Sequence, residues 1–373
     1  GHESLITEVL VHTGQHYDYA MSRSFFDQMD IPEPKYHLDV GSGSHGDQTG
    51  RMLSAIEEVL LGEKPDAVLV YGDTNSTLAG ALAAAKLHIP VGHVEGGMRS
   101  FNRRMPEEIN RVLTDHVAKW HFCATETAVK NLKNEGITEE VHLVGDVMYD
   151  AVMLYKGIAS EKSTILSDLG LLPESGHGSR VTSYALCTVH RAENTDDPAR
   201  LRNILEALAE ISKDMPVVFP VHPRTQKAIK DAGLTDLIGS SGSRVPGPEF
   251  RKSGIKAIDP VSYIDMLRLE GSASIILTDS GGIQKEAFWL GVPCITMRDE
   301  TEWIETVEVG WNKVTGADAG AIIRASKEYC SASMVRAATQ PDSALAFASI
   351  LNILASRIQL LASVADPSRT EGI

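Results

Sequence analysis

Short apolar runs alternate with stretches of helical periodicity along most of the chain. The apolar runs have the length and composition of buried strands, and they cover residues 67–71, 90–94, 184–189, 216–221, 256–258, 274–278 and 294–297. Helical patterns separate most of them, for example at 74–88 and at 107–120, where Pro106 is suited to a first helical turn. Strands that alternate with helices predict parallel sheets covered on both faces, which is an α/β fold.

The same pattern predicts two domains. A length of 373 residues is too great for one ordinary core, and residues 170–180 have the Gly, Pro, Ser and Glu content of a loop. We therefore predict a first domain over residues 1–168, which opens with a strand-like lead-in at 4–12. A second domain is predicted over 169–345, and a helical run at 346–373 ends the chain.

Charge and cysteine content exclude several classes of function. A net charge of −15 is unsuited to a general binder of nucleic acid or of an anionic membrane. The four cysteines are far apart and form no C-x-x-C pair, which argues against disulfides and cysteine zinc sites and favours a reducing compartment. The 13 histidines contain no H-E-x-x-H motif, no apolar run reaches membrane-spanning length, and no signal peptide is visible. We expect a cytoplasmic protein without a metal site.

Polar side chains follow several predicted strands at their carboxyl ends. These strand-end residues are Asp73, Glu95, His190, His222 and the run at 279–282. In open parallel α/β sheets, ligands bind beyond the carboxyl ends of the strands. A single residue of this kind has the alternative explanation of a cap or turn residue, but the whole set indicates a binding or catalytic site.

The segment at 279–286 is the best candidate for binding phosphate. A buried strand leads directly into Ser280, Gly281 and Gly282 and then into a helix. Glycines allow a close approach of the backbone, and the free N–H groups of a first helical turn bind anions. Glu286 lies further along that helix and is placed to accept hydrogen bonds from ribose hydroxyls. The alternative is a tight turn with an ordinary Ser cap.

Three carboxylates are candidates for acid–base chemistry. Asp73 and Glu95 end neighbouring strands and are expected to lie close together, and Glu107 starts the helix that follows. Crowding of carboxylates raises the pKa of one of them, which suits proton transfer near neutral pH. Glu107 and Arg111 are spaced i, i+4 and are expected to share a helix face. Glu107 is explained equally well as an acid favoured in a first helical turn.

A glycine-rich run at 41–46 matches the pattern G-x-G-x-x-G. It follows a possible strand at 36–40 and precedes a helix, as a dinucleotide-binding loop would. A single match of this kind is weak, and Gly50 just inside the helix departs from the usual close-packed pattern. We therefore do not expect a nicotinamide cofactor.

The motifs taken together resemble the non-hydrolysing UDP-N-acetylglucosamine 2-epimerases. They occur in the family's order over about nine tenths of the chain. They are HTGQH at 12–16, YGDTN at 71–75, HVEGGMR at 93–99, MPEEINR at 105–111, VHRAEN at 189–194, PVHP at 220–223, TDSGGIQKE at 278–286 and MRDETE at 297–302.

The resemblance implies a fold of the glycosyltransferase B type, with two Rossmann-like domains and the nucleotide in the cleft between them. The first domain would carry the acid–base residues, the second would bind UDP, and the last helix would cross back to the first domain. No cofactor is implied. The implied partners are a UDP-sugar and a second subunit in a homodimer.

The resemblance also assigns roles to individual residues. The catalytic residues would be Asp73, Glu95, Glu107 and His190, the last supporting the departing diphosphate. The substrate-binding residues would be Arg99, Arg111, Ser280, Gly281, Gly282, Glu286 and His222. Some relatives bind a second UDP-sugar as an activator, at positions that match Gln15, His16, Arg51 and Arg191 in this chain.

Two departures from the family pattern affect the expected site. The family normally opens with a strand, a Gly-x-Arg-Pro loop and a helix carrying a Lys, and we expect that unit upstream of Gly1. The family's usual Ala-Gly-Leu-Arg after the second acid is Gly-Gly-Met-Arg here, which keeps Arg99.

The activity implied by the resemblance is inversion of C2 in UDP-N-acetylglucosamine, by elimination of UDP and its re-addition. The runs at 12–18 and 193–197 also resemble a branch that acts on UDP-2,3-diacetamido-2,3-dideoxy-glucuronate, which leaves the sugar open. Two competing hypotheses are a UDP-sugar glycosyltransferase on the same fold and a non-catalytic sensor of UDP-sugars. The three carboxylates favour epimerisation over transfer.

Overall fold

Strands and helices alternate throughout the part of the chain that the computed structural model describes, which is residues 6–14, 29, 31–172, 182–238, 254–331 and 345–365. The strands in these ranges are β1 (Val11–His12), β2 (Tyr36–His37), β3 (Val68–Tyr71), β4 (Val91–Val94), β5 (Trp120–Cys123), β6 (Val141–Leu143), β7 (Ala185–Thr188), β8 (Val217–Pro220), β9 (Ile255–Ile258), β10 (Ile275–Thr278), β11 (Cys294–Thr296) and β12 (Asn312–Val314). The helices are α1 (His45–Glu63), α2 (Asn75–Lys86), α3 (Pro106–Val117), α4 (Glu126–Asn134), α5 (Val147–Lys162), α6 (Ile165–Asp168), α7 (Ala192–Thr195), α8 (Pro198–Ile211), α9 (Pro223–Asp231), α10 (Tyr263–Ser272), α11 (Gly281–Leu290), α12 (Ile304–Glu308), α13 (Ala319–Ser331) and α14 (Ala346–Ala365).

The chain forms two compact units. The first comprises residues 1–150 and 342–373, and the second comprises residues 151–341. Both contain parallel sheets with helical connections, so the predicted α/β class is confirmed. No helix in the described ranges combines the length and the apolar character needed to cross a bilayer.

The first unit is built on a parallel sheet of order β3-β4-β5-β6, and β1 pairs with β2 in a small separate sheet. The helix α14, although last in the chain, packs on this unit. Its residues Ile350 and Leu354 lie in one apolar cluster with Trp120 and Phe122 of β5. The backbone N–H of Phe347 also donates to Asp150 Oδ2 over 3.0 Å, which satisfies a donor in the first turn of that helix.

The second unit is built on a parallel sheet of order β12-β11-β10-β7-β8-β9. Every residue of β7, β8 and β10 is buried, because helices cover both faces, and this burial explains the continuous apolar runs in the sequence. The strand order reverses between β7 and β10. Such a switch point leaves a crevice at the carboxyl ends of the two strands, which is where α/β proteins bind ligands.

The structure corrects the sequence prediction in three places. The helix predicted over 107–120 ends at Val117, and Trp120 already belongs to the buried strand β5. The strand predicted over 36–40 is confined to β2. In the predicted lead-in at 4–12, the described residues are extended only in β1.

Candidate active site

Asp73 and Glu95 follow two adjacent strands of the first unit. The strands β3 and β4 pair in parallel with Tyr71 opposite Val94, so the turns after them lie side by side. A Cβ built on Gly72 would lie 3.9 Å from Glu95 Oε2, which places that carboxylate beside the turn that carries Asp73. Glu95 has a φ of 69°, in the left-handed region that costs a non-glycine residue about 1–2 kcal/mol. Strain at a strand end is typical of functional positions.

The helix α3 supplies the partners of Asp73. Arg111 donates to Asp73 Oδ2 and, over 3.1 Å, to Glu108 Oε2. Glu107 and Arg111 both lie in α3 at the expected i, i+4 spacing, but the guanidinium binds these two other carboxylates. Asn110 Nδ2 donates to the backbone oxygen of Asp73 over 2.9 Å, which also fixes the main chain there.

Glu107 and Glu108 are neighbours in the first turn of α3 with different surroundings. Glu108 is buried and accepts from the backbone N–H groups of Ser100 and Phe101 at 2.9 Å each, as well as from Arg111. Glu107 is half-buried, and no hydrogen bond or ion pair engages its carboxylate within the described ranges. The oxygens of Glu108 are used to bind the backbone at Ser100 and Phe101, whereas the oxygens of Glu107 are available for a ligand.

His93 lies in β4, fully buried beneath the two strand-end carboxylates. Its Nδ1 is 2.7 Å from Asp115 Oδ1, and its Nε2 is 2.8 Å from the carbonyl oxygen of Gly72. Both partners are acceptors, so the two ring nitrogens hold the imidazole between the carboxylate of Asp115 and the turn at Gly72. Burial alone would raise the pKa of Asp115, but His93 and Arg99 outweigh it and hold that pKa below its ordinary value.

Arg99 completes this interior network. Its side chain is buried, and it donates to Asp115 Oδ2 over 2.7 Å and to both Glu135 oxygens at 2.7 and 2.8 Å. These two carboxylates raise the pKa of Arg99 despite its burial. The donors of Arg99 contact groups inside the protein, and its predicted role in substrate binding stays a prediction. We infer that Arg99 orients Asp115 and, through His93, the turn that holds Asp73.

Replacing His93 by Gln is expected to destabilise the protein by about 2–4 kcal/mol, because a Gln cannot donate to both Asp115 and the Gly72 carbonyl and leaves one buried acceptor unpaired. Urea unfolding followed by circular dichroism measures the change. The same substitution at His116, which is half-exposed on α3, serves as the control and should change little. Equal free energies of unfolding in the two variants would show that the contacts of His93 with Asp115 and Gly72 do not stabilise the fold.

Asp279 organises the site of the second unit. It follows β10 at the switch point and is fully buried. Its carboxylate accepts from the backbone N–H groups of His190 and Arg191 at 3.0–3.1 Å and from Asn194 Nδ2 over 3.1 Å. It also lies 3.1 Å from Nδ1 of the His190 ring. Burial would raise the pKa of Asp279, but His190 and these N–H donors lower it. An ionised Asp279 fixes the Nδ1 hydrogen of His190 and leaves Nε2 for a ligand.

His222 and Arg191 lie close to His190. The rings of His190 and His222 have centroids 5.9 Å apart. His222 caps α9 by accepting from Arg224 N–H over 3.2 Å, and burial, with the charges of His190 and Arg224, lowers its pKa. The Nε of Arg191 is buried and has no hydrogen-bond partner among the described residues. Its predicted role in activator binding stays a prediction.

The helix α11 begins directly after Asp279. Ser280 caps it, with the N–H of Ile283 donating to its hydroxyl, so the N–H groups of Gly281 and Gly282 have no partner inside the helix. A Cβ on Gly281 would collide with Glu302 Oε1, and the carbonyl of Gly281 accepts from Trp303 Nε1 over 2.8 Å. This helix start has the geometry of an anion-binding site.

Glu286 lies on α11 and faces α10. Tyr263 donates its hydroxyl to Glu286 Oε1 over 3.1 Å. Burial raises the pKa of the Glu286 carboxyl, although Tyr263 and Glu270 oppose that shift. Glu286 is thus a buried acceptor held in a defined orientation.

The predicted activator residues are only partly covered by the structure. Gln15 and His16 lie outside the described residues. Arg51 lies on α1 and donates to Asp47 and to the carbonyl oxygens of Val40 and Ser42. It holds the glycine-rich loop against the helix, and its binding role stays a prediction.

Comparison with known proteins identifies the family. The family described as UDP-N-acetylglucosamine 2-epimerase matches residues 2–352. The chain belongs to this family. The family and the enzyme class predicted from the motifs are therefore confirmed.

Two curated relatives illustrate the range of the epimerase family. A UDP-N-acetylglucosamine 2-epimerase homolog of Methanococcus maripaludis is 50% identical, over 87% of this chain and 86% of its own. A UDP-2,3-diacetamido-2,3-dideoxy-D-glucuronate 2-epimerase of Pseudomonas aeruginosa is 49% identical, over 87% of this chain and 84% of its own. Similarity at this level does not choose between the two sugars.

Two solved structures bear on the fold. The epimerase of Methanocaldococcus jannaschii, in complex with UDP-GlcNAc and UDP, has a TM-score of 0.80 and 43% identity, and the match covers 94% of this chain and 92% of that one. A trehalose 6-phosphate synthase of Burkholderia multivorans has a TM-score of 0.51 at 12% identity, covering 90% and 79%, and shares the fold alone. The predicted glycosyltransferase B type of fold is confirmed.

Proposed function

We propose that this epimerase inverts C2 of UDP-N-acetylglucosamine and gives UDP-N-acetylmannosamine. The observation that supports this most strongly is the placement of Asp73 and Glu95 at the ends of paired strands, with Arg111 bound to Asp73. Family membership supports it independently, since solved relatives carry UDP-GlcNAc.

The proposed reaction avoids direct deprotonation of C2, whose proton is not activated by an adjacent carbonyl. UDP leaves C1 with the electron pair of the C1–O bond while a carboxylate removes the C2 proton, and a 2-acetamidoglucal forms. UDP then adds back at C1 as a proton is delivered to the opposite face of C2. Asp73, Glu95 and Glu107 are the proposed acids and bases, and each transfer contributes about 10²–10⁴-fold to the rate.

The second unit provides the proposed binding site for UDP. The N–H groups of Gly281 and Gly282, at the start of α11 that Ser280 caps, are suited to the diphosphate. His190, held by Asp279, is placed to stabilise the charge that develops on the departing UDP. Glu286, fixed by Tyr263, is suited to accept hydrogen bonds from the ribose hydroxyls.

A second candidate substrate is UDP-2,3-diacetamido-2,3-dideoxy-glucuronate. The named enzyme for this sugar is 49% identical to the chain, and the runs at 12–18 and 193–197 resemble that branch. Both sugars require the same inversion at C2, so the proposed acids and bases are unchanged.

The proposal is tested by incubating the full chain with each UDP-sugar in deuterated water. We expect the 2-epimer of one sugar to accumulate, with deuterium at C2 of both epimers, because the C2 proton exchanges with solvent through the carboxylates. NMR spectroscopy identifies the product and the site of deuteration. Transfer of the sugar only after an acceptor is added, without deuterium at C2, would instead assign a glycosyltransferase.

A further inference from the structure

Glu270 is a buried carboxyl for which the proposed reaction has no role. It lies near the carboxyl end of α10 with 0% of its surface exposed. Neither of its side-chain oxygens receives a hydrogen bond from a donor within the described ranges. An ionised carboxylate without a partner costs several kcal/mol in such a position, and the negative end of the α10 dipole adds to that cost.

The groups around Glu270 are acidic or neutral. Glu286 faces it from α11, and Tyr184, just before β7, and Cys294 of β11 lie near enough to interact with it electrostatically. Tyr263 contacts Glu286 from α10 itself. No cation is paired with Glu270 in the described part of the chain, so burial and the charge of Glu286 favour a proton on one of the two carboxyls.

The shared proton belongs mainly to Glu270. Glu286 accepts from the Tyr263 hydroxyl over 3.1 Å, whereas neither oxygen of Glu270 has a donor in the described ranges, so the negative charge is better stabilised on Glu286. Burial, followed by the charge of Glu286, raises the pKa of Glu270 well above its ordinary value, in agreement with these contacts. Two adjacent buried carboxyls that share one proton divide into a donor and an acceptor. In such a pair Glu270 would be the donor, since Glu286 already accepts from Tyr263.

We propose that Glu270 is a positioning residue that donates its carboxyl hydrogen to Glu286 and so directs the free lone pairs of Glu286 toward the ribose hydroxyls of UDP. This inference rests on the proposed function, because it takes Glu286 as the ribose acceptor. With Tyr263 and Glu270 both engaged, the Glu286 carboxylate has one rotamer. Without Glu270, the Glu286 carboxylate has only the hydrogen bond from Tyr263, and its oxygens are no longer fixed toward the ribose hydroxyls.

The test compares the affinities for UDP and 2′-deoxy-UDP, measured by calorimetry on the full chain. Wild-type protein is expected to prefer UDP by about tenfold, the equivalent of one hydrogen bond to a charged group. Glu270→Leu should lower the affinity for UDP about tenfold and leave the affinity for 2′-deoxy-UDP nearly unchanged, so the preference for UDP disappears. Glu270→Gln keeps an N–H donor and should retain the preference within about twofold.

The matched control is Glu206→Leu, because Glu206 is an exposed residue of α8, and neither affinity should change. The infrared carbonyl band of a protonated carboxyl, present in the wild type at neutral pH and absent from Glu270→Gln, reports the donor directly. Equal weakening of both nucleotides in Glu270→Leu, or an unchanged preference, would overturn the positioning role. Failure of the wild type to bind UDP would overturn the proposed function itself, and this inference with it.

Discussion

Turnover is expected to fall by about 10²–10⁴-fold in each of the variants Asp73→Asn, Glu95→Gln and Glu107→Gln. Each substitution keeps the size of the side chain and removes its capacity to accept or deliver a proton at C2. Asp73 also binds Arg111, so Asp73→Asn should show the largest loss, because the guanidinium then lacks one of its two carboxylates. Initial rates of epimerisation with the accepted UDP-sugar measure the effect.

Asp66→Asn is the control for these variants. Asp66 is exposed and precedes β3, at the end of the strand opposite to Asp73, so its rate should match the wild type. Circular dichroism checks that all the variants fold. Near-normal turnover in all three acid variants would remove the acid–base assignment, whereas loss in only one of them would identify a single-residue mechanism.

The sequence was sufficient for those parts of the site that depend on local order. A buried parallel strand is a continuous apolar run, and the residue after it lies at a known edge of the sheet. The apolar runs alone therefore predict Asp73 and Glu95 at the ends of adjacent strands, and β3 pairs with β4 as that reasoning requires. Capped helix starts are equally local, which is why Ser280 was recognised.

The residues that the sequence did not reveal act through partners far along the chain. Asp115 lies 22 residues from His93, and Asp279 lies 89 residues from His190. Asp279 was predicted only as part of the strand-end run at 279–282, because nothing local indicates that four donors converge on its carboxylate. The strand order that puts β7 beside β10 is likewise a property of the fold and not of either strand.

The strand β5 was missed for a different reason. Trp120 follows a well-patterned amphipathic helix with no glycine or proline to mark the end of that helix. All four residues of β5 are buried, and Ile350 and Leu354 of α14 pack against its apolar side chains. Packing against a helix from the far end of the chain stabilises this strand, and local sequence propensity does not reveal such a contact.

Asp279→Asn is expected to lower the free energy of unfolding of the second unit by about 3–5 kcal/mol at neutral pH. The wild-type carboxylate accepts hydrogen bonds from N–H groups of His190, Arg191 and Asn194. In either amide orientation, the NH₂ group of the Asn side chain faces some of these donors, and donor then meets donor. Turnover should fall as well, because His190 loses the group that fixes its ring. Three of the four tryptophans, Trp289, Trp303 and Trp311, lie in this unit, so tryptophan fluorescence during urea unfolding mainly follows its unfolding.

The pH dependence of the free energy of unfolding distinguishes the contribution of the Asp279 charge from that of its packing. Its pKa is lowered in the folded protein, so its stabilising contribution is fully present above the unfolded value of about 3.9 and is lost as the pH falls through the folded value. The difference in the free energy of unfolding between the wild type and Asp279→Asn should therefore be largest at neutral pH and should decrease below about pH 4. Asp214→Asn, at an exposed turn, should show no such difference. If that difference does not depend on pH, Asp279 stabilises the fold through packing alone. Other contacts would then orient the ring of His190.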